Sequence, residues 1–362
     1  MLAQVQTLLT SWAAIIDHSI DIGTKKALVV LRVPLATLSQ RGSAICLEDC
    51  ECIGLKVCET VNGETIALDL EEIFKRSGSP AVIIKDCDAS LQKGVRLWSE
   101  KQGVSVPVIE DIGHVSASAL KEQFEKTKAY IQFTALLRTG AHRLRQTDLA
   151  FLIPPKLRTK GRFQSISKLG AWADKMLAVF ASKGQAKKGS LLARLRIAMP
   201  KFLSLKSFII PFAKTTKVVT QVLEILKNKG LTQSHYEQCY ECLNELPKNS
   251  KVKKRLHKWL DKHLDIQKKL GGLPLLVSSD IIESLFGNFK HIIDRSPQAD
   301  MNRTTLLIPT LCGKLDEVTI TGALSKVRHK DIEVWETENI PYTVRKKRKA
   351  FFSDLVSQKA GK

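Results

Sequence analysis

The stretch Ala81-Val-Ile-Ile-Lys85, running straight into Asp86-Cys-Asp88, decides the fold. Its apolar run is short and rich in β-formers, which predicts a strand buried on both faces. Downstream, Ala89 to Gln102 has helical spacing. Val104-Ser-Val-Pro-Val-Ile109 is a further short strand, followed at once by Asp111-Ile-Gly-His114, and Ser116 to Leu137 reads as one helix. Upstream, the apolar run Trp12-Ala-Ala-Ile-Ile ends at Asp17, and Gly23-Thr-Lys-Lys is a turn. Ala27 to Val33 is β-rich and closed by Pro34, and Cys52 to Cys58 alternates as a third strand. Asn62-Gly reads as a turn, and Thr65 to Arg76 as a helix. The order β-β-β-α-β-α-β-α describes a meander that continues into alternating helices and strands, which makes a mixed α/β sheet. Carboxylates just beyond strand ends are where such sheets place ligand chemistry.

After about Thr139 the β signal fades. Pro154 to Arg162 is a basic, linker-like stretch, and helices are expected at 165–182, 190–199, 214–229, 232–246 and 251–270. Gly184, Gly189, Pro200, Pro211, Gly230 and Pro247 separate them. The charge sits here. The chain carries a formal net charge of +21, and residues 151–270 hold 26 Lys/Arg against 7 Asp/Glu, a net of +19. A basic surface of that density points to a polyanionic partner, nucleic acid before membrane. Lys156, Arg158, Lys160, Arg162, Lys187, Lys188, Lys253, Lys254 and Arg255 are the candidate phosphate contacts. A second basic cluster, Val344 to Lys349, is expected to be exposed.

Beyond Gly271-Gly-Leu-Pro274 comes Ser279-Asp-Ile-Ile-Glu-Ser-Leu-Phe-Gly-Asn-Phe-Lys290. Ile281, Ile282, Leu285, Phe286 and Phe289 fall at helical spacing, so one face is core. Glu283 lies near the edge of that face, and Lys290 follows two turns later. Cutting or transferring a phosphodiester needs an activated water or hydroxyl and a stabilised leaving oxygen. Two divalent ions held by carboxylates supply both. Asp17 on the first strand, Asp86 after the fourth and Glu283 on this late helix are the three candidates. Asp17 is preferred to Asp21, which is closer to the turn. Asp86 is preferred to Asp88, which has the place of a helix N-cap.

These residues resemble the DDE/DDD transposases, whose catalytic domain is RNase H-like. The resemblance covers roughly Trp12 to Lys290. Ile15-Ile-Asp-His-Ser-Ile-Asp-Ile-Gly-Thr-Lys25 looks like the first catalytic strand, and Val82 to Leu91 like the strand that carries the second Asp. Asp111-Ile-Gly-His114 matches the (Cys/Asp)-x-x-His motif of Mutator- and hAT-like members. Glu283 with six residues before Lys290 matches the Glu-x6-Lys pattern of insertion-sequence transposases. Such members often carry an all-helical insertion before the acidic helix, and the basic block lies in that place. Their fuller pattern has an arginine four residues before the Glu, where this chain has Ser279. Sixteen residues precede Asp17, too few for the helix-turn-helix domain such members usually carry. End recognition is then expected in the basic block or on a separate polypeptide, unless the element is shortened.

The resemblance implies an α/β fold, an RNase H-like mixed sheet with helices on both faces, interrupted by an all-helical insertion. The expected division is a catalytic core at 1–140, the insertion at 141–272, a return to the core with the acidic helix at 273–335, and a basic tail at 336–362. Asp17, Asp86 and Glu283 would bind Mg²⁺ or Mn²⁺, His114 and Asp111 would support the site, and Lys290 would contact phosphate. The implied activity is metal-dependent cleavage and transfer of double-stranded DNA at element ends, by a homo-oligomer. The rivals are an RNase H-like nuclease or resolvase and a catalytically inactive DNA-binding relative.

No run reaches the roughly 18 apolar residues of a membrane span, and Met1 to Leu9 lacks the features of a signal peptide. The 8 cysteines are scattered and read as reduced thiols of a cytosolic protein, and the resemblance implies a prokaryotic, nucleoid-associated setting. Cys239-x-x-Cys242, with His235, His257 and His263 nearby, has zinc-like spacing but falls within one helix, where such cysteines are core. Trp172 and Trp259 are expected to be core residues rather than stacking platforms.

Overall fold

The computed structural model describes residues 11–18, 26–41, 44–58, 60–156, 161, 163–181, 186–293, 302–340 and 343–360. The turn expected at Gly23 and the breaks at Gly184 lie outside them. The chain divides into two compact units. One comprises Met1–Asp111 with Leu273–Lys362, and the other Ile112–Gly272. The second therefore takes in Ile112 to Gly140, which the sequence reading assigned to the first part of the core.

The first unit is built on a five-stranded sheet in the order β3-β2-β1-β4-β5. Its strands are β1 (Trp12–His18), β2 (Lys26–Pro34), β3 (Glu51–Cys58), β4 (Val82–Lys85) and β5 (Val108–Glu110). β1 pairs antiparallel with β2, and β2 with β3. β4 runs parallel to both β1 and β5. This is an α/β fold with a mixed sheet of RNase H-like type. β1 and β4 are near-continuous apolar runs because neighbours flank them on both edges and both faces are covered. Strand β5 is shorter than its apolar run. Pro107 has no N–H to give, and only its carbonyl is used, accepting from Ile83 N–H at 2.9 Å.

Two helices, α2 (Gly63–Ser77) and α3 (Ala89–Gln102), cover one sheet face; the short α1 (Leu35–Arg41) follows β2. Trp12, Ala14, Ile16, Leu28, Val30 and Ile83 pack there against Ile66, Leu70, Phe74, Val95 and Trp98. Helix α3 comes close to α2 at Gly94, whose missing side chain leaves room for Ile66. Asn62-Gly, read as a turn, is instead the start of α2. Asn62 caps it by accepting the Thr65 N–H at 2.8 Å. The alternate residues Ala13, Ile15 and Asp17 point to the other face, where the late acidic helix lies against β1.

The second unit is all-helical: α4 (Ile112–Phe124), α5 (Lys128–Leu144), α6 (Ile166–Phe180), α7 (Leu191–Ala198), α8 (Lys206–Lys229), α9 (Gln233–Asn244) and α10 (Lys251–Lys269). The single helix expected at 116–137 is thus two. Thr127 makes the break, its hydroxyl donating to Phe124 O at 2.8 Å and accepting the Tyr130 N–H at 3.2 Å. Helix α8 starts eight residues before the expected Lys214 and runs through Pro211, which costs the early helix only one backbone bond. Phe124, Tyr130, Phe133, Phe208 and Phe212 form its aromatic centre. Trp259 is buried and stacked on His263, and Trp172 donates to Leu152 O at 3.2 Å. Trp259 is a core residue, as expected, whereas Trp172 is half-buried.

After Leu273 the chain returns to the first unit with α11 (Asp280–Ile293), α12 (Leu307–Thr310), α13 (Glu317–Lys326), α14 (His329–Asn339) and α15 (Val344–Ala360).

Candidate active site at the strand ends

The parallel register of β1 and β4 sets Ala13 opposite Val82 and Ile16 opposite Lys85. That is the last pair of the ladder, and Asp17 and Asp86 are the next residues along the two chains. Adjacent strands lie about 4.8 Å apart, so both residues belong to the carboxyl edge of the sheet. Asp17 is buried, with 9% of its surface exposed, and Asp86 is half-buried. One Asp17 oxygen accepts the His18 N–H at 2.7 Å. Asp86 Oδ1 accepts the Asp88 N–H at 2.9 Å, which bends the chain out of β4.

Asp88 is the N-cap of α3. Its Oδ1 accepts the N–H groups of Ser90 at 2.8 Å and Leu91 at 3.1 Å. The same oxygen lies 3.2 Å from His18 Nε2, tying the end of β1 to the start of α3. Burial alone would push the Asp88 carboxyl up. The Leu91 and Ser90 amides and His18 outweigh it and hold the carboxyl below its usual value. Sequence reasoning passed over His18. Its signal was a polar residue directly after Asp17 at the end of an apolar strand. Its side chain is almost fully buried, and Nδ1 has no hydrogen-bond partner among the described residues.

Asp111 ends β5. Its N–H donates to Lys85 O at 2.9 Å, which joins it to the end of β4. The Asp111 side chain is 1% exposed, and Oδ2 accepts three hydrogen bonds. They come from Ser278 Oγ at 3.1 Å, Ser279 N at 2.6 Å and Ser279 Oγ at 3.0 Å. Ser278 Oγ in turn accepts the Asp280 N–H at 3.2 Å. The start of α11 is therefore fastened to the carboxyl edge of the sheet. Helix α11 buries Ile282, Leu285, Phe286 and Phe289. Glu283 is exposed in its first turn, and Lys290 is exposed in its last.

The structure thus brings Asp17, Asp86 and Asp111 to consecutive strand ends, with Glu283 one turn beyond the Asp111 anchor. Among the described residues, no three His, Cys, Asp or Glu side chains are gathered closely enough to hold a metal ion. His114 belongs to the second unit. It is half-buried in the first turn of α4, with Nε2 3.1 Å from the Gln164 amide nitrogen, beside a cavity of about 450 Å³. Of the basic candidates, Lys156, Lys187, Lys188 and Lys254 are exposed. Lys253 reaches Leu246 O at 3.5 Å, and Arg255 pairs with Glu122 at 3.5 Å. Arg158, Lys160 and Arg162 lie outside the described residues. Cys239 is fully buried in α9, a core thiol that burial pushes up to about 12. No helix of the described residues is long and apolar enough to cross a membrane.

A sheet of RNase H-like type with acidic strand ends is the class that fold and site define. No family model matches the chain, and no curated protein matches it. Among solved structures, the Drosophila P element transposase strand transfer complex is similar with a TM-score of 0.43 and 11% identity. The match covers 86% of this chain and 79% of that one. That likeness is too slight to carry an activity across.

Proposed function

We propose that this chain is a DDE-type DNA transposase of the insertion-sequence kind, working at double-stranded ends with Mg²⁺ or Mn²⁺. The observation that supports the reading is the parallel β1–β4 register, which ends at Ile16 and Lys85, the residues just before Asp17 and Asp86. Hard divalent ions take carboxylate oxygens and keep several waters. The donors fit that demand in type, with Asp17 and Asp86 on rigid strand ends and Glu283 as the third, on a helix fixed by Asp111. Asp17, Asp86 and Glu283 would hold such ions, which would supply activation of a water or 3′-hydroxyl and neutralisation of the leaving oxygen.

The chain's own residues have separate tasks. Asp17 and Asp86 supply oxygen ligands and fix their direction through the His18 and Asp88 amides. Asp111 holds the start of α11, the helix that carries Glu283. Lys290 grips phosphate, His114 supports the site, and the basic helical unit holds the duplex. Homo-oligomers on DNA, in a cytoplasmic, nucleoid-associated setting, follow from such a substrate.

The test is cleavage of a duplex carrying an element end, with and without Mg²⁺. Asp17→Asn, Asp86→Asn and Glu283→Gln should each abolish cutting and leave DNA binding intact. Normal cleavage by Asp86→Asn would refute the site. A strand-transfer assay with pre-cut ends separates a transposase from a nuclease or resolvase. One observation favours the inactive DNA-binding alternative, namely that no three metal-ligating groups are already gathered among the described residues. Wild-type binding without metal-dependent cutting would establish it.

A further inference from the structure

We infer that the first unit carries a second site for the phosphate backbone of duplex DNA, in the cavity between Asn302–Thr304 and the first turns of α15. The cavity measures about 740 Å³. Arg345, Lys346 and Lys349 line it from α15, and Arg303 lines it from the turn Arg303–Leu306. Among the described residues, Glu336 of α14 is the one carboxylate in its wall. Four cations thus face one anion. Arg303 also lies 3.3 Å from His329 Nε2, and His329 pairs with Glu333 at 3.3 Å, so the balance around Arg303 is not purely basic.

Three features make this more than a solvated charge run. First, outside residues 151–270 the chain is close to neutral, at +2, so four cations around one cavity are a local concentration. Second, α15 is a 17-residue helix whose amino end opens here. Thr343 lines the cavity and caps that end, accepting the Lys346 N–H at 3.1 Å. Its dipole adds positive potential where an anion would sit. Third, the cavity is far larger than one phosphate needs. Arg345 and Lys349 stand four residues apart on one helix side, about 6 Å along the axis. Charges that far apart can reach different phosphates of a backbone, which rises about 3.4 Å per nucleotide on each strand. The choice of DNA over other polyphosphates rests on the function proposed above.

The experiment compares the full-length protein with Arg345→Ala/Lys346→Ala/Lys349→Ala by fluorescence anisotropy on a short labelled duplex over a range of salt. All three side chains are exposed, and thermal melts run alongside check that each variant is folded. Each phosphate contact contributes about 0.9 to the slope of log K against log salt. The triple variant should lower that slope by about 2–3 and weaken binding about tenfold or more. Glu336→Gln should tighten binding. An unchanged slope and affinity in the triple variant overturns the site. So does loss of binding to anionic phospholipid vesicles with duplex binding kept. Cleavage measured in parallel separates the two readings. An altered slope without any cutting refutes the catalytic proposal alone, and an unchanged slope with normal cutting refutes this site alone.

Discussion

Asp111 and Ser279 lie 168 residues apart in sequence and meet through a short hydrogen bond, Ser279 N–H to Asp111 Oδ2 at 2.6 Å. Ser279 stands where the insertion-sequence pattern has an arginine. The place is filled by a small residue that gives both its amide and its hydroxyl to a buried carboxylate. Asp111→Ala would leave Ser278 and Ser279 donors buried without that acceptor. Hydrogen bonds to a charged group are worth about 1.5–3 kcal/mol each and are not additive. Urea unfolding should show a loss of about 3 kcal/mol, and Asp111→Asn, which keeps one acceptor oxygen, a smaller loss. A change below about 0.5 kcal/mol for the alanine variant would show that α11 is held by its apolar face alone.

Asp88 gives a pH dependence of definite sign. Its folded carboxyl lies below the usual aspartate value, because the Leu91 and Ser90 amides and His18 outweigh burial. A depressed acid contributes stability that is fully present above its unfolded pKa of about 3.9 and is lost as pH falls through the folded value. Asp88→Ala should cost about 1 kcal/mol at neutral pH as a lost N-cap. Its stability should then fall less steeply than that of the wild type below about pH 4. Parallel acid-unfolding curves would contradict this assignment.

Gly94 lets α3 approach α2. A Cβ there would overlap Ile66 Cγ2 and stand 3.1 Å from Gly63 O. Although alanine is the better helix former, Gly94→Ala should destabilise by about 1–3 kcal/mol through overpacking. Ile66→Ala removes Cγ2 but keeps Cβ, 2.6 Å from the new carbon, so the overlap persists and the double variant should lose nearly the sum of the single losses. Thermal melts of the four proteins test the coupling.

The buried thiols should be chemically silent. Burial pushes Cys50 and Cys239 up to about 12, and both are almost fully enclosed. Cys46 is exposed. Alkylation of the native protein at pH 8 should label Cys46 long before Cys50 or Cys239, because the thiolate is the reactive form. Mass spectrometry of the digest reads the order directly. Rapid labelling of Cys239 would mean that α9 opens.

The strands were legible in the sequence because each is an apolar run ended by a breaker or a carboxylate. Ala89–Gln102 matches α3 at both ends, since Asp88 caps one and Gly103, in the left-handed region at φ 63°, closes the other. The split between α4 and α5 was hidden because it depends on the Thr127 hydroxyl and not on any gap in apolar spacing. Asp17 and Asp86 were visible as strand-end acids. Their adjacency was not, because parallel pairing of β1 with β4 is a long-range choice that neither strand records. Asp111 appeared as part of a motif, but its contacts with Ser278 and Ser279 needed the fold.

That adjacency has a consequence apart from catalysis. Like charges facing each other across strands are destabilising by up to about 1 kcal/mol. With metal chelated, Asp86→Asn should therefore raise the melting temperature slightly, because the amide oxygen can still accept the Asp88 N–H. Adding Mn²⁺ should stabilise the wild type by RT ln(1 + [L]/Kd), about 2.7 kcal/mol at a hundredfold excess over Kd. Asp86→Asn should lose most of that shift. Glu283→Gln should also reduce it, with a smaller change in the metal-free midpoint, because Glu283 is exposed on α11 rather than at a strand end. Differential scanning fluorimetry with chelator or Mn²⁺ reads all three proteins. Equal Mn²⁺ shifts in wild type and Asp86→Asn would remove Asp86 from the metal site. A lowered metal-free midpoint in Asp86→Asn would show that its carboxylate is needed for the fold instead.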